Sequence, residues 1–227
     1  MTEIAQNIAH IRAKMALALS RAGRNPGAVR LMAVTKSVTT DKIAQAVLAG
    51  IDAIGENYLQ EAQNKFGTIS TAPALHFIGH LQTNKAKHAV AMFDMIHSVG
   101  KIELAREINK RARSLGKVQD VLLEINLGAE ESKQGLAPGE AGELLSAMAD
   151  WENVRVRGLM AIPPPDGSAK YFGRLRDLAC ELRLLNLSNA PLDELSMGMS
   201  DDYEEAIAAG ATIIRIGRGI FGERPPK

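Results

Sequence analysis

The stretch Val29-Arg-Leu-Met-Ala-Val-Thr-Lys36 carries the pattern that decides the fold. A short apolar run, Leu31–Val34, ends in the polar pair Thr35-Lys36, and apolar residues at helical spacing follow over Asp41–Ala49. A run this short, bounded by polar residues and followed by a helix, is typical of a buried strand in a parallel sheet. The stretch therefore predicts one strand and the helix that returns along it.

The same unit recurs along the whole chain. The predicted strands are Arg30–Thr35, Ala53–Gly55, Leu75–Gly79, Met95–Ser98, Val118–Asn126, Val154–Ile162, Glu194–Met197 and Thr212–Gly217. The predicted helices between them are Asp41–Ala49, Tyr58–Lys65, Lys85–Met92, Lys101–Leu115, Glu140–Asp150, Ala169–Leu185 and Asp201–Ala209. Alternating strands and helices favour a parallel sheet with right-handed crossovers, and eight such units can close into a TIM-type barrel.

The composition does not divide the chain into separate domains. No Pro-rich or Ser-rich linker interrupts the alternating pattern, so we predict an α/β protein with a single (β/α)8 barrel domain over residues 1–227. The second and seventh apolar runs are short, and for that reason an open doubly wound sheet is the alternative.

The segment before the first strand predicts an additional N-terminal helix. Apolar residues recur there at helical spacing, at Ile4, Ile8, Ile11 and Met15. The turn-forming Asn25-Pro26-Gly27 ends the run. Because the segment is basic, an organellar transit peptide is the alternative. The regular apolar spacing favours a helix that caps the fold.

Charge and composition exclude several classes of protein. Lys and Arg number 27 and Asp and Glu 26, so no basic surplus is available to bind nucleic acid. No apolar run approaches the roughly 18 residues that a membrane span needs. The one cysteine, Cys180, excludes an internal disulfide framework, and we expect it to be buried in a helix as a small hydrophobe. We expect a cytoplasmic protein with no nucleic-acid, membrane or metal site.

Polar residues follow the apolar runs, where a parallel barrel builds its site. Lys36 follows the first run, and it either points across the barrel mouth or lies in solvent. Ser200 follows the seventh run and the glycine-rich Gly217–Gly219 the eighth, and barrels frequently bind phosphate with these two loops. Ser200 could instead only cap the next helix. A buried lysine beside a phosphate site suggests a phosphorylated aldehyde, of which pyridoxal 5′-phosphate (PLP) is the commonest cofactor.

Seven stretches resemble the pyridoxal phosphate homeostasis protein family, the YggS-like PLP-binding barrels. They are Met32–Ser37, Ile54–Glu61, His76–Lys85, Glu130–Gly135, Gly158–Ala161, Leu195–Asp202 and Ile214–Gly222. They span nearly the whole chain in order, which makes the resemblance far more specific than any single motif. The departures are mild: Thr35-Lys36-Ser37 stands where Ser-Lys-Thr is more usual.

The resemblance implies a fold like the N-terminal barrel of alanine racemase, and a set of cofactor contacts. It implies that Lys36 holds PLP covalently as a Schiff base and that Asn57 lines the pocket. Ser200 and the backbone N–H groups of Gly217 and Arg218 would hold the phosphate. The implied protein is a monomer that serves intracellular vitamin B6 homeostasis, with PLP-requiring apo-enzymes as candidate partners.

Arg215, which the resemblance places at the pyridine nitrogen, bears most on mechanism. An arginine stays protonated and opposes a proton on that nitrogen, which makes the ring a poorer electron sink. Alanine racemase takes a second base from an additional β-domain, which we do not expect here. We therefore predict a protein that holds PLP without efficient turnover, with no catalytic residue. The alternatives are a slow amino-acid racemase, with Tyr58, His80 or His97 as the base, and a sugar-phosphate enzyme in which Lys36 is an aldolase-type lysine.

Overall fold

Eight short apolar runs lie side by side as parallel strands in the structure, a computed structural model that describes residues 1–66, 73–128, 134–164 and 168–223. Each strand pairs with the next along the chain, and the last pairs with the first, so that the sheet closes. The strands are β1 (Arg30–Val34), β2 (Ala53–Glu56), β3 (Ala74–Phe77), β4 (Met95–Val99), β5 (Gln119–Glu124), β6 (Val154–Met160), β7 (Glu194–Ser196) and β8 (Ile213–Ile216). The predicted (β/α)8 barrel is confirmed, and the open doubly wound sheet is wrong.

Helices cover the outside of the barrel. Within the described ranges they are α1 (Glu3–Arg21), α2 (Thr40–Leu48), α3 (Leu59–Phe66), α4 (Ala86–Met92), α5 (Ile102–Ser114), α6 (Ala141–Ala147), α7 (Ser168–Arg183), α8 (Tyr203–Ala209) and α9 (Arg218–Phe221). Short 3₁₀ turns, Thr83–Lys85 and Pro138–Glu140, precede α4 and α6. The sequence does not predict α9, because glycines at 217 and 219 have the composition of a loop.

Most predicted strands run one or two residues too far at their carboxyl ends. β5 ends at Glu124, because the chain leaves the sheet there and pairs with the loop that follows. The Leu136 N–H donates to the Glu124 carbonyl at 2.8 Å, and the Asn126 N–H donates to the Leu136 carbonyl at 2.9 Å. The polar residues after the strands therefore form the barrel mouth instead of extending the sheet.

The core has two parts, which the sheet separates. Outside the barrel, alternate strand residues such as Leu31 and Ile54 pack against the helices. Inside it lies an apolar cluster formed by Met32, Ala53, Met95, Leu122, Met160 and Ile213. Large polar side chains, among them His76, His97 and Arg215, are also buried. Strand periodicity alone does not indicate this mixture of apolar and polar groups.

The predicted N-terminal helix is confirmed as α1, which packs against α2, α8 and α9. Its apolar stripe, which includes Ile4, Ile8 and Ile11, is buried. The Asn7 side chain donates to the Ile220 carbonyl at 3.1 Å and so ties α1 to α9. Because α9 begins in the loop after β8, α1 supports one of the two predicted phosphate loops.

Cys180 is exposed, so the expectation of a buried cysteine is wrong. The helix α7 turns Phe172, Leu175, Ala179 and Leu182 toward the core. Cys180 follows Ala179 directly, and successive helical residues lie about 100° apart around the axis. The cysteine therefore lies off the buried face.

Gly158, in β6, tolerates a side chain less than any other described glycine. A Cβ atom there would lie 1.8 Å from the backbone oxygen of Glu194 on β7. We expect Gly158→Ala to lower the free energy of unfolding by about 3 kcal/mol, because rotamer changes cannot relieve a clash with backbone. Gly173, on α7, would place its Cβ in open space, and Gly173→Ala should be neutral or stabilising by up to about 1 kcal/mol. Urea denaturation compares the two, and equal effects would contradict the prediction.

Candidate functional site

The six residues that the resemblance implies as cofactor contacts line one cavity at the barrel mouth. Its volume is about 240 Å³. The lining residues are Val34, Lys36, Asn57, Ile78, Ile162, Met199, Ser200, Asp201, Arg215, Gly217 and Arg218. Most of them come from the ends of β7, β8, β1 and β2, which are neighbours in the closed sheet. We call this the Lys36 cavity.

Lys36 lies between a buried residue, Thr35, and a residue with left-handed backbone, Ser37. The preceding Thr35 is fully buried, and its N–H donates to the Gly55 carbonyl of β2 at 3.0 Å. The following Ser37 has a left-handed backbone, with φ of 61°, and its N–H donates to the Glu61 carboxylate at 2.5 Å. Lys36 itself is half-buried and lines the cavity.

A buried ion pair, absent from the predicted site, supports the two loops that carry Lys36 and Asn57. The Glu56 carboxylate is fully buried and accepts hydrogen bonds from the Thr35 hydroxyl at 2.6 Å and from Lys65 Nζ at 2.9 Å. Lys65 Nζ also donates to the Thr35 carbonyl at 2.6 Å. Burial raises the pKa of Glu56, and its bonds to Thr35 and Lys65 oppose that rise. The position of Glu56, directly after a predicted strand, was the sequence feature that could have indicated this ion pair.

The loops after β7 and β8 lie against each other at one side of the cavity. The Gly219 N–H donates to Ser200 Oγ at 3.2 Å, which joins the two loops. No described residue accepts a hydrogen bond from the backbone N–H of Ser200, Asp201, Gly217 or Arg218. Open N–H groups that converge in this way form an anion site, as helix N-termini do.

Two details of this region correct the sequence interpretation. The helix α8 begins at Tyr203, with Asp202 as its cap residue, so Ser200 is not the N-cap and the predicted start at Asp201 is two residues early. The Arg218 guanidinium pairs with Asp201 on the surface and lies near Glu223 at 3.4 Å. Arg218 can therefore offer the cavity its backbone N–H while its side chain is engaged elsewhere.

Arg215 lies at the floor of the cavity, with 4% of its surface exposed. Its Nη1 donates to Ser196 Oγ at 2.8 Å and its Nη2 to the Ala161 carbonyl at 2.9 Å. Burial lowers the pKa of Arg215 to about 10, and the charges of Asp202 and Glu124 oppose that shift. The guanidinium thus stays cationic at neutral pH.

A chain of hydrogen bonds continues from Arg215 into the barrel. Ser196 Oγ lies 3.0 Å from His97 Nδ1, and His97 Nε2 lies 2.9 Å from His76 Nδ1. Burial lowers the pKa of His76 to about 3 and that of His97 well below its usual value, so both rings are neutral. His97 is fully buried below Arg215 and lines no described cavity. It is placed to hold Ser196, and through it Arg215.

Ser196→Ala should show how much this series of hydrogen bonds contributes to the stability of the protein. The change removes an acceptor from the buried Arg215 and a partner from His97, and we expect the free energy of unfolding to fall by about 2 kcal/mol. Ser146→Ala, at an exposed hydroxyl on α6, is the matched control and should change it by less than about 0.5 kcal/mol. Thermal or urea denaturation measures both, and a neutral Ser196→Ala would show that the chain does not hold Arg215.

The other predicted residues and motifs lie outside the Lys36 cavity. Tyr58 is 57% exposed and lines no described cavity, whereas His80 lines two neighbouring cavities at the mouth. The family motif Glu130–Gly135 falls largely outside the described residues, and only its last two positions are described. In the part of the chain that the structure describes, no helix has the length and apolar character to cross a membrane. No group of three His, Cys, Asp or Glu residues there could hold a metal ion.

Comparison with known proteins identifies what the chain is similar to. The family model described as alanine racemase, N-terminal domain, matches residues 5–225. The pyridoxal phosphate homeostasis protein of Escherichia coli is 39% identical over 99% of this chain and 98% of its own length. The structure of PipY from Synechococcus elongatus with PLP bound has a TM-score of 0.84 and 35% identity, over 96% of this chain and 100% of PipY. Alanine racemase of Clostridium difficile shares the fold, with a TM-score of 0.74 and 14% identity over 98% of this chain and 58% of that one.

Proposed function

Because the chain belongs to the pyridoxal phosphate homeostasis protein family, we propose that it binds PLP in the Lys36 cavity and serves PLP homeostasis in the cell. The PLP-bound structure of PipY supports this proposal. The main observation behind the proposal is the set of residues that line the Lys36 cavity. A half-buried lysine, two loops with open N–H groups and a buried arginine all line the same space.

The residues present fit PLP group by group. The open N–H groups of Ser200, Gly217 and Arg218 suit a phosphate, with Ser200 Oγ as a further donor. Asn57 Oδ1 is buried at the cavity wall and has no hydrogen-bond partner in the described part of the chain, which leaves it available to a ligand. Lys36 would form the covalent Schiff base with the cofactor aldehyde.

Arg215, together with the lack of a candidate base in the Lys36 cavity, supports a protein that holds PLP rather than turning it over. PLP supplies an electron-withdrawing ring whose strength depends on a proton at its nitrogen. Arg215 remains cationic and therefore opposes that proton. None of the three candidate bases lines the Lys36 cavity. His97 is fully buried, Tyr58 lines no described cavity, and His80 lines the neighbouring cavities. The racemase alternative is not favoured.

The cellular setting of this function follows from the same proposal. We place the protein in the cytoplasm as a single-domain monomer over residues 1–227, with PLP-requiring apo-enzymes as the recipients of the cofactor. The balanced charge and the absence of a membrane-spanning helix among the described residues are compatible with that setting.

An absorbance spectrum followed by chemical mapping tests the proposal. The purified protein, or the protein after addition of PLP, should show the visible band of a PLP Schiff base. Borohydride reduction should make the label permanent, and mass mapping of peptides should find it on Lys36. No visible band after addition of PLP would overturn PLP binding. A permanent label on another lysine would retain PLP binding but overturn the role of Lys36.

A further inference from the structure

The barrel mouth contains a second, larger cavity beside the Lys36 cavity. Its volume is about 550 Å³, within the range of about 300–1,000 Å³ that is usual for ligand pockets. Residues from β4, from β5 and from the loops after β3, β4 and β5 line it, among them His80, Ser98, Lys101, Glu124 and Gln134. The Lys36 cavity uses mainly the opposite part of the barrel. We call the larger one the Glu124 cavity.

A smaller space shares lining residues with both cavities. This space has a volume of about 260 Å³ and shares His80, Glu124 and Gln134 with the Glu124 cavity. It shares Ile162 with the Lys36 cavity. A molecule in the Glu124 cavity would therefore lie next to whatever the Lys36 cavity holds.

Glu124 is the first sign of a ligand in this cavity. The residue is half-buried at the end of β5, and no described residue forms a hydrogen bond or an ion pair with its carboxylate. Burial raises its pKa, and the nearby charge of Arg215 opposes that rise. A carboxylate that lines a cavity without a cationic partner favours a ligand with a cationic group.

Ser98 is an independent second sign. It is 4% exposed in β4 and lines the same cavity. Its Oγ is buried and has no hydrogen-bond partner among the residues that the structure describes. Buried hydroxyl groups are almost always hydrogen-bonded, so an unpartnered one at a cavity wall indicates a ligand that completes the bond.

Lys101 adds the opposite charge to the same cavity. It precedes α5 as the cap residue, and it forms no ion pair with a described residue. The cavity therefore offers an anion and a cation to one ligand. A free α-amino acid carries both complementary charges on a small frame.

We propose that the Glu124 cavity binds a free α-amino acid, with the ammonium group at Glu124 and Ser98 and the carboxylate at Lys101. The contacts stand on the geometry of the cavity, and only the position of the amino acid beside a held PLP rests on the proposed function.

The test measures binding to the full-length holoprotein after borohydride reduction. Reduction fixes the cofactor on Lys36, so that an added amine cannot exchange with it. Calorimetric titration with glycine and L-alanine should show saturable binding, and methylamine or acetate should bind about tenfold or more weakly, because each satisfies only one of the two charges. Absence of glycine binding, or equal binding of methylamine, would overturn the proposal.

Variants assign the binding to the named groups. Glu124→Gln should weaken glycine binding by about tenfold or more, and Ser98→Ala by several-fold. Glu103→Gln, at an exposed carboxylate of α5 outside the cavity, is the matched control and should leave binding unchanged. If Glu124→Gln fails to fold, the effect of Ser98→Ala on glycine binding tests the assignment by itself. Unchanged glycine binding in both variants would show that glycine does not bind at Glu124 and Ser98.

The two proposals can fail separately. If the wild-type protein shows no PLP band, the proposed function fails, while glycine titration of the same protein still decides the amino-acid site. If the band is present and glycine binds only to the unreduced protein, glycine reacts with the cofactor itself. The amino-acid site then fails while PLP binding stands.

Discussion

Replacement of Lys36 by arginine is expected to abolish the visible absorbance of protein-bound PLP. Arginine keeps the positive charge at the mouth, but its guanidinium stays protonated and cannot form the Schiff base. PLP held only by the phosphate loops and Arg215 should dissociate during gel filtration. The absorbance of the protein fraction after incubation with PLP and filtration gives the bound amount.

Lys42→Arg provides the matched control for this experiment. Lys42 is exposed on α2, a few residues from Lys36, and lines no described cavity. This variant should retain the wild-type spectrum. If Lys36→Arg kept a label that borohydride makes permanent, another lysine would be the attachment point and the proposed site would need revision.

Lys65→Met is expected to destabilise the protein by roughly 3–5 kcal/mol, a large share of the roughly 5–15 kcal/mol that holds a domain folded. The change leaves the fully buried carboxylate of Glu56 without its cation. It also removes the donor to the Thr35 carbonyl, next to Lys36. Urea denaturation measures the loss. PLP binding to the folded variant should weaken as well, because the loop that carries Lys36 loses its support.

The cost of Lys65→Met should depend on pH. Lys65 lowers the raised pKa of Glu56, so its removal raises that pKa further above the ordinary value of 4.5. Above pH 4.5 the folded variant then binds more protons than the unfolded chain, and its stability falls as the pH rises toward the folded pKa. The difference from wild type should therefore be smallest at acid pH and largest at neutral pH.

Two further variants distinguish the loss of the buried Glu56–Lys65 pair from the general effect on stability of removing a charge. The double variant Glu56→Gln/Lys65→Met should recover part of the lost stability, because the fully buried charge is then gone and only the partly exposed Glu61 has lost its contact with Lys65. Arg176→Met breaks an exposed pair with Asp177 and should change stability by less than about 1 kcal/mol. A double variant no more stable than Lys65→Met alone would show that lost packing, not the unpaired carboxylate, causes the effect.

The sequence predicts the barrel and the placement of Lys36, Ser200 and Gly217 at its mouth because both depend on local order, whereas Asn57 and Arg215 were assigned to the site by the family resemblance. Short apolar runs that alternate with helical spacing specify parallel strands, and a parallel barrel places every strand's carboxyl end on one face. Residues as distant along the chain as Lys36 and Ser200 can therefore be assigned to one mouth from their positions after the runs. Helix α9 and the start of α8 were not predicted correctly, because glycine and aspartate at a loop do not indicate where a short helix begins.

Sequence alone therefore determines the barrel, its N-terminal helix and which residues reach the mouth. Only the tertiary structure decides how those side chains pair. The His76–His97 contact needs the register between β3 and β4, and the Glu56–Lys65 pair needs α3 to lie over the end of β2. That Ser98 and Glu124 have no hydrogen-bonding or ion-pair partner among the described residues likewise emerges only from the tertiary structure. Periodicity reports which face of an element is buried, whereas hydrogen bonds between elements depend on register and rotamer, which no local pattern encodes.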